Sequence, residues 1–283
     1  MVSNKQAVLK TLQYSDLFNF PQTGSEIRKF LIKKIEAKRL KVILTSSKEI
    51  SYKSGFYFLK GKEKIVSLRK KREIESSLKI KKAKKFIKLL SIIPSVLLIG
   101  ISGSVSVKNA KRNDDIDLFI ITQRNTLWAT RFLMIIFLKL CGVYRKRDEE
   151  NVKDKFCLNM FLAEDALGLS PERQNMYIAR EISQLMPIFQ RDKIYEKFIL
   201  KNNWIGKFMP NSISCLKKEH ARLVDEKKKI IGSKIISMLE KPLHLLQIKI
   251  IKRHQTKEVV ASNFVAFHPN DLSLLINKRY LMN

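Results

Sequence analysis

The sequence is short of the residues that staple or metallate small domains. Three cysteines, Cys141, Cys157 and Cys215, stand far apart and form no CxxC pair, which excludes a disulfide framework and a cysteine-based zinc site. Four histidines, His220, His244, His254 and His268, all fall in the C-terminal quarter without HExxH or a similar ligand spacing. They read as incidental surface or helix residues. Long apolar runs are missing too. "LLSIIPSVLLIGI" is 13 residues and contains Pro94, too short to span a bilayer. "LWATRFLMIIFLKLCGVY" carries Arg131 and Lys139 and reads as a helix buried against a sheet. The opening MVSNKQAVLK has no apolar core of the signal-peptide kind. A cytoplasmic location without a membrane span is therefore expected.

Acidic residues are scarce as well: 26 Asp+Glu stand against 56 Lys+Arg, a formal net charge of +30. A field of that sign attracts nucleic acid, nucleotides and anionic membrane surfaces. A general compositional bias toward Lys, Ile and Asn produces the same excess, so charge alone does not choose a partner. The 45% hydrophobic content of 283 residues is enough to bury a core, in one large domain or two to three small ones.

Along the chain, residues 5–13 show helical spacing with Ala7, Val8 and Leu12 on one side. "NFPQTGSEIRKFLI" breaks at Pro21 and restarts at Thr23 or Ser25, with Glu26 in the first turn as a start signal. "IEAKRLKVIL" fits a third short helix, and "EISYKSGFYFLKG" a hairpin turning near Ser54-Gly55. Three short helices and a hairpin is the order of a winged helix, a fold whose helix and wing often meet DNA or RNA. The same unit also serves for packing or dimerisation alone. Residues 60–88 carry 13 Lys/Arg and three Glu with Ile74, Leu78, Ile80, Phe86 and Ile87 interspersed. This predicts a long basic amphipathic helix, and such a charge run is ordinarily a solvated face.

From Ser95 the pattern changes to alternating strand and helix. "SVLLIGIS" suits a buried strand feeding a Gly103-Ser104 turn, "VSVKNAKR" a short helical segment, and "DIDLFIIT" a second strand. A long apolar helix over 124–141 and a third strand at "KFCLNMFL", 155–162, follow. "SPERQNMYIAREISQLMPIF" predicts a helix with Ser170 as N-cap and Pro171 in its first turn. Residues 192–283 read as mostly helical, punctuated by Pro210, Pro242 and Pro269. The expected organisation is α/β (α+β): a winged-helix-like domain over 1–67, a mixed-sheet core with a leading basic helix over 68–190, and a helical C-terminal region over 191–283.

The chemistry concentrates in "ISGSVSVKNAKRNDDIDLFIIT", residues 101–122. A strand puts alternate residues on one face, so Asp115 and Asp117 point the same way. Like charges held that close need a cation or a proton. Asp117 lies inside an apolar strand, where an unpaired carboxylate would cost several kcal/mol. A Gly-Ser turn between strand and helix offers backbone N–H groups and a hydroxyl to a phosphate. Hard carboxylate oxygens suit magnesium. Two metals about 3.5–4 Å apart would stabilise the attacking and leaving oxygens of a displacement at phosphorus.

This Gly-Ser turn followed by an Asp-x-Asp strand resembles the nucleotidyltransferase (DNA polymerase beta-like) superfamily, closest to its small bacterial and archaeal members, over roughly residues 95–165. The resemblance implies that Gly103 and Ser104 bind nucleotide phosphates and that Asp115 and Asp117 are the catalytic metal ligands. It implies a site for Mg²⁺, with Mn²⁺ as the alternative cation, and an NTP as substrate. The reaction would move a nucleoside monophosphate to an acceptor hydroxyl on a small molecule, a protein or RNA. The family usually adds a third aspartate on a later strand. Here the matching strand, "KFCLNMFL", has none, and Asn159 is the nearest polar substitute. Asp154, Glu164 and Asp165 would serve only in a different register. An amide oxygen can ligate magnesium but cannot act as a general base. The alternative is therefore a nucleic-acid-binding regulator whose degenerate core senses nucleotide without turning it over. Lys108, Lys111 and Arg112 are candidate triphosphate contacts or solvent-facing residues. Trp128 and Arg131 read as packing and snorkelling residues, and the lysine-rich stretch 217–257 as packing helix with a basic outer face.

Overall fold

A computed structural model describes residues 2–146, 149–219, 223, 225–227, 230–253 and 259–266. His220, His254, His268 and Pro269 lie outside the described residues. The first unit is three helices and a hairpin: α1 (Asn4–Asp16), α2 (Gly24–Phe30), α3 (Ala37–Ser46), β1 (Ile50–Lys53) and β2 (Phe56–Leu59). Reciprocal capping boxes start α1 at Ser3 and α2 at Thr23, where Thr23 and Glu26 satisfy each other's backbone N–H. The two-residue turn has Ser54 at φ +52° and Gly55 at φ +90°, the left-handed pair that matches strand twist in tight hairpins. Gln22 and Tyr57 exchange two backbone hydrogen bonds (2.9 and 2.7 Å) and tie the hairpin to the α1–α2 connection. Ala7, Val8, Leu12, Ile27, Leu31, Leu40 and Leu44 form the core of this unit.

Helix α4 (Lys64–Leu90) runs 27 residues without a break. Of the apolar residues expected on its inner face, Ile80, Phe86 and Ile87 pack against the sheet, and Ile74 and Leu78 do not. Ile74 and Leu78 are 65% and 61% exposed, while Arg69, Arg72 and Lys79 are buried. The reason is local satisfaction of each charge. Arg69 reaches the Pro21 carbonyl, Glu26 and Glu73, and Arg72 reaches the Phe18 carbonyl and Asn109. Buried polar groups are tolerated when so paired. The helix thereby fastens the first unit to the second.

The second unit is built on a seven-stranded mixed sheet. Its elements are β3 (Val96–Ile101), α5 (Gly103–Ser106), β4 (Ile116–Thr122), α6 (Leu127–Leu140), β5 (Phe156–Ala163), α7 (Met176–Gln184) and β6 (Met186–Arg191). Then come α8 (Ile194–Lys201), α9 (Ile205–Phe208), α10 (Ser212–Glu219), β7 (Asp225–Glu226), α11 (Ile230–Met238), α12 (Glu240–Lys252), β8 (Val259–Val260) and β9 (Phe264–Ala266). The strand order is β7-β6-β3-β4-β5-β9-β8, with β4 and β5 parallel and β3 antiparallel to both its neighbours. One face packs Leu97, Leu98, Phe119, Ile121 and Leu162 against α7 and α8. The other packs Ile99, Ile101, Leu118, Ile120 and Phe156 against α4, α6 and α12.

The helix expected over 170–189 is a 3₁₀ turn at Pro171–Arg173, a helix capped by Asn175, and the strand β6. Pro187 forces Met186 to be extended and stops the helix. It sits at the register shift opposite Ile99 and Gly100, where no ladder N–H is needed. Among the described residues after 191 helices predominate, and three short strands join the sheet, β7 beside β6 and β9 between β5 and the edge strand β8. Pro242 does not break a helix; it lies in the first turn of α12, where a missing N–H is tolerated. Glu240, just before it, accepts from the N–H groups of Trp128 and Ala129 (3.0 and 2.9 Å) and caps α6. Trp128 is buried and donates to the Ser262 carbonyl, and Arg131 is buried on Gln247 rather than snorkelling. Among the described residues no helix is long and apolar enough to cross a membrane.

Candidate functional site

The apolar run of β3 ends at Ile101, and the chain turns at once. Ser102 donates its N–H to the Asp117 carbonyl at 2.9 Å, which locks the turn beside β4. Gly103 follows at φ +63°, and a β-carbon there would stand 2.7 Å from Asp117 Oδ2. Only glycine fits, both because the conformation is left-handed and because the carboxylate already fills the space. The turn and the second aspartate are one packed object.

The loop between α5 and β4 is held rather than loose. Asp114 accepts from Ser104 Oγ (3.2 Å) and from the Lys111 N–H (2.8 Å). Lys79, arriving buried from α4, donates to the carbonyls of Arg112 and Asp114 (3.0 and 2.6 Å) and pairs with Asp154 at 2.7 Å. Lys108, Lys111 and Arg112 are exposed. Ser104, expected to face a phosphate, spends its hydroxyl on Asp114 and leaves its backbone to the turn.

Alternation along β4 places Asp117 on the face of Phe119 and Ile121, the face covered by α7. In the parallel register the residue beside Asp117 is Cys157, and a register shift between Leu118 and Phe119 follows. The shift moves Phe161 onto the face of Phe156 and Leu158, so the common face expected for Cys157, Asn159 and Phe161 is broken by one residue. Asn159 lies at the shift, 2% exposed. Asp115, Asp117 and Cys157 form the group whose ligand atoms all fall within 4.8 Å of one another. Asp154 is engaged by Lys79. Glu164 and Asp165 sit at the opposite end of β5, where Glu164 bonds the Thr122 carbonyl through its N–H and both acids meet Arg124.

Two charged residues complete the site without having been singled out in the sequence. Arg145 bonds Asp115 Oδ2 at 2.6 Å and also reaches Cys157. Glu181, on α7, is near enough for its charge to act on Asp117. Nothing local in "YRKRDEE" or "AREIS" marks either one, since only the tertiary fold brings them here.

The electrostatics follow from this crowding. Burial, then the charge of Asp115, pushes the Asp117 carboxyl up to about 7; the Cys157 thiol and Arg145 pull it down, and Glu181 adds to the rise. Burial pushes Glu181 up to about 7 as well, against the pull of Arg180. Burial, followed by the charges of Asp117 and Asp115, raises the Cys157 thiol well above its usual value. It remains a protonated donor to Asp117 rather than a thiolate ligand. Burial works against the Arg145 charge, but Asp115 holds it above the usual arginine range. Three acids thus converge, with the partly exposed Arg145 on Asp115 and the buried Arg180 acting on Glu181. A pair of hard carboxylate donors short of positive charge fits a divalent cation.

No family model matches the chain, and no curated protein or solved structure is detectably similar to it.

Proposed function

We propose that the chain is a divalent-metal-dependent nucleotidyltransferase that moves a nucleoside monophosphate from an NTP to an acceptor hydroxyl. The observation that carries this reading is the packing of the left-handed Gly103 against the Asp117 carboxylate, with Asp115 alongside. A phosphate-sized anion at the Gly103–Ser104 turn would then lie directly beside the two carboxylates that hold its cation. Asp115 and Asp117 would hold Mg²⁺, with Mn²⁺ as the alternative, and the cation when bound supplies Lewis-acid stabilisation of charge developing at the transferred phosphate. Gly103 lets the backbone come close to the phosphates, Asp114 and Lys79 keep the turn in place, and the Cys157 thiol steadies Asp117. In this reading the mixed sheet is a nucleotidyltransferase core and the first unit a winged helix.

A second reading has its own support. No carboxylate stands on β5, and α3 exposes Lys38, Arg39 and Lys41 beside a hairpin that exposes Tyr52 and Lys53. Basic helix plus wing is a nucleic-acid-binding surface in many proteins, which would make the core a nucleotide sensor.

Thermal unfolding with each NTP, with and without Mg²⁺, tests the first reading without knowledge of the acceptor. Ligand at about 100 times its Kd adds roughly 2.7 kcal/mol of stability. A Mg²⁺-dependent rise in Tm that disappears in Asp115→Ala/Asp117→Ala supports it. No shift with any nucleotide removes it.

A further inference from the structure

The cation found against the carboxylates is an arginine, and its backbone is built into place. After α6 the chain returns alongside β5, where Phe156 donates to the Val143 carbonyl at 2.7 Å and Arg145 donates to the Phe156 carbonyl at 3.0 Å. Tyr144 bridges to Phe156 in parallel. The Arg145 backbone is therefore tied to the strand that carries Cys157, and its guanidinium extends over the end of the sheet to Asp115 Oδ2 at 2.6 Å.

Asp115 is one of the carboxylates a divalent cation would need. A guanidinium and a divalent cation on the same carboxylate repel each other, so occupancy by one opposes the other. The arginine side chain is 36% exposed, against 16% for the aspartate. It therefore has room to swing without disturbing the core. A guanidinium carries five donors in a planar fork that matches phosphate oxygens bidentately. Released from Asp115, that fork would sit at the mouth of the same site with its charge unspent.

We propose that Arg145 is an exchangeable counter-ion: it holds Asp115 until a divalent cation replaces it, then turns its fork to the phosphate groups that accompany the cation. The inference rests on the nucleotidyltransferase reading and adds to it a residue for phosphate binding and an order of events. Before metal arrives Arg145 offsets the charge of Asp115 and opposes stray metal, and the site opens to metal and nucleotide together.

The test is binding of Mn²⁺ alone, and of Mn²⁺ with α,β-methylene-ATP, followed by electron paramagnetic resonance and calorimetry on the full chain. Wild type, Arg145→Gln, Arg145→Lys and Asp115→Ala/Asp117→Ala are compared, with the unliganded Tm of each as a folding control. Arg145→Gln is expected to bind Mn²⁺ alone severalfold more tightly than wild type and the Mn²⁺–nucleotide pair severalfold more weakly. Arg145→Lys keeps the charge but not the fork, so its Mn²⁺ affinity stays close to wild type while nucleotide binding falls. Opposite signs in the two arms are the signature, because a purely structural arginine would weaken both or neither. Unchanged or weaker Mn²⁺ binding by Arg145→Gln overturns the proposal, as does unchanged nucleotide binding. The wild-type arm judges the underlying reading separately: no nucleotide binding there removes that reading, and the phosphate role with it, while the Mn²⁺ comparison still tells whether Arg145 competes with metal.

Discussion

Gly103 and Asp117 compete for the same space: a β-carbon on the first would lie 2.7 Å from a carboxylate oxygen of the second. The contact joins the turn after β3 to the strand beside it and explains why a glycine at φ +63° stands at the mouth of the site. Gly103→Ala would add left-handed backbone strain and a clash at once. The expected loss is about 1–3 kcal/mol of stability, together with loss of any nucleotide-dependent rise in Tm. Denaturant unfolding measures the first and ligand-dependent melting the second. A variant as stable as wild type would show that the turn relaxes and that the close packing is not a constraint.

The acids at the site make stability depend on pH in an unusual direction. Asp117 and Glu181 are each pushed up to about 7, from ordinary values of 3.8 and 4.5. A carboxyl raised on folding favours the folded state while protonated, and that contribution is lost as pH rises through the folded value. Without metal, the protein is expected to lose stability between about pH 4 and 7 and to level off above that. Added Mn²⁺ reverses the trend, because it binds the ionised form and releases a proton. Asp117→Asn or Glu181→Gln flattens the metal-free profile. Melting across this range with EDTA or with Mn²⁺ decides it; a profile flat in EDTA would rule out the charge crowding, and one unmoved by Mn²⁺ would rule out metal binding at these carboxylates.

What the sequence revealed and what it hid divide by the range of the interaction. Thr23 with Glu26, Ser54-Gly55, and the 101–122 stretch carry their structural meaning within a few residues, and the structure has a capping box, a tight hairpin and a turn beside a strand at those places. Strand β6 was hidden because its apolar run continues the amphipathic pattern of α7, with Pro187 as the sole local sign. The third-ligand position was misplaced because Cys157 is the residue beside Asp117, and the one-residue register shift that follows in β5 takes Asn159 out of the strict alternation that would have kept it on the same face. Arg145 and Glu181 lie 28 and 64 positions after Asp117, and only the return of the chain along β5 and the crossing of α7 bring them to it.

Lys79 shows how far the site depends on the helix that precedes it. Its ammonium, 2% exposed as a residue, holds two carbonyls of the loop before β4 and the Asp154 carboxylate. Lys79→Met keeps the length of the stem but leaves those oxygens without a donor. The expected cost is about 2–4 kcal/mol, with the loop from Lys108 to Asp114 losing hydrogen-exchange protection before the rest of the sheet. Uniform loss of protection across the sheet would instead mean that Lys79 supports the whole fold and has no special tie to this loop.

The first unit offers a prediction that separates binding from packing. Lys38, Arg39 and Lys41 are exposed on α3. If that face meets duplex DNA or RNA, replacing all three by Gln lowers affinity for every sequence alike. It also reduces the slope of log K against log salt by roughly 0.9 for each phosphate contact removed. Fluorescence anisotropy with a labelled duplex at several salt concentrations gives both quantities. A variant with the affinity and slope of wild type would clear α3 of nucleic-acid contact and leave the unit as a packing element. The excess of 56 Lys+Arg over 26 Asp+Glu could then be assigned to the general composition of the chain rather than to a partner.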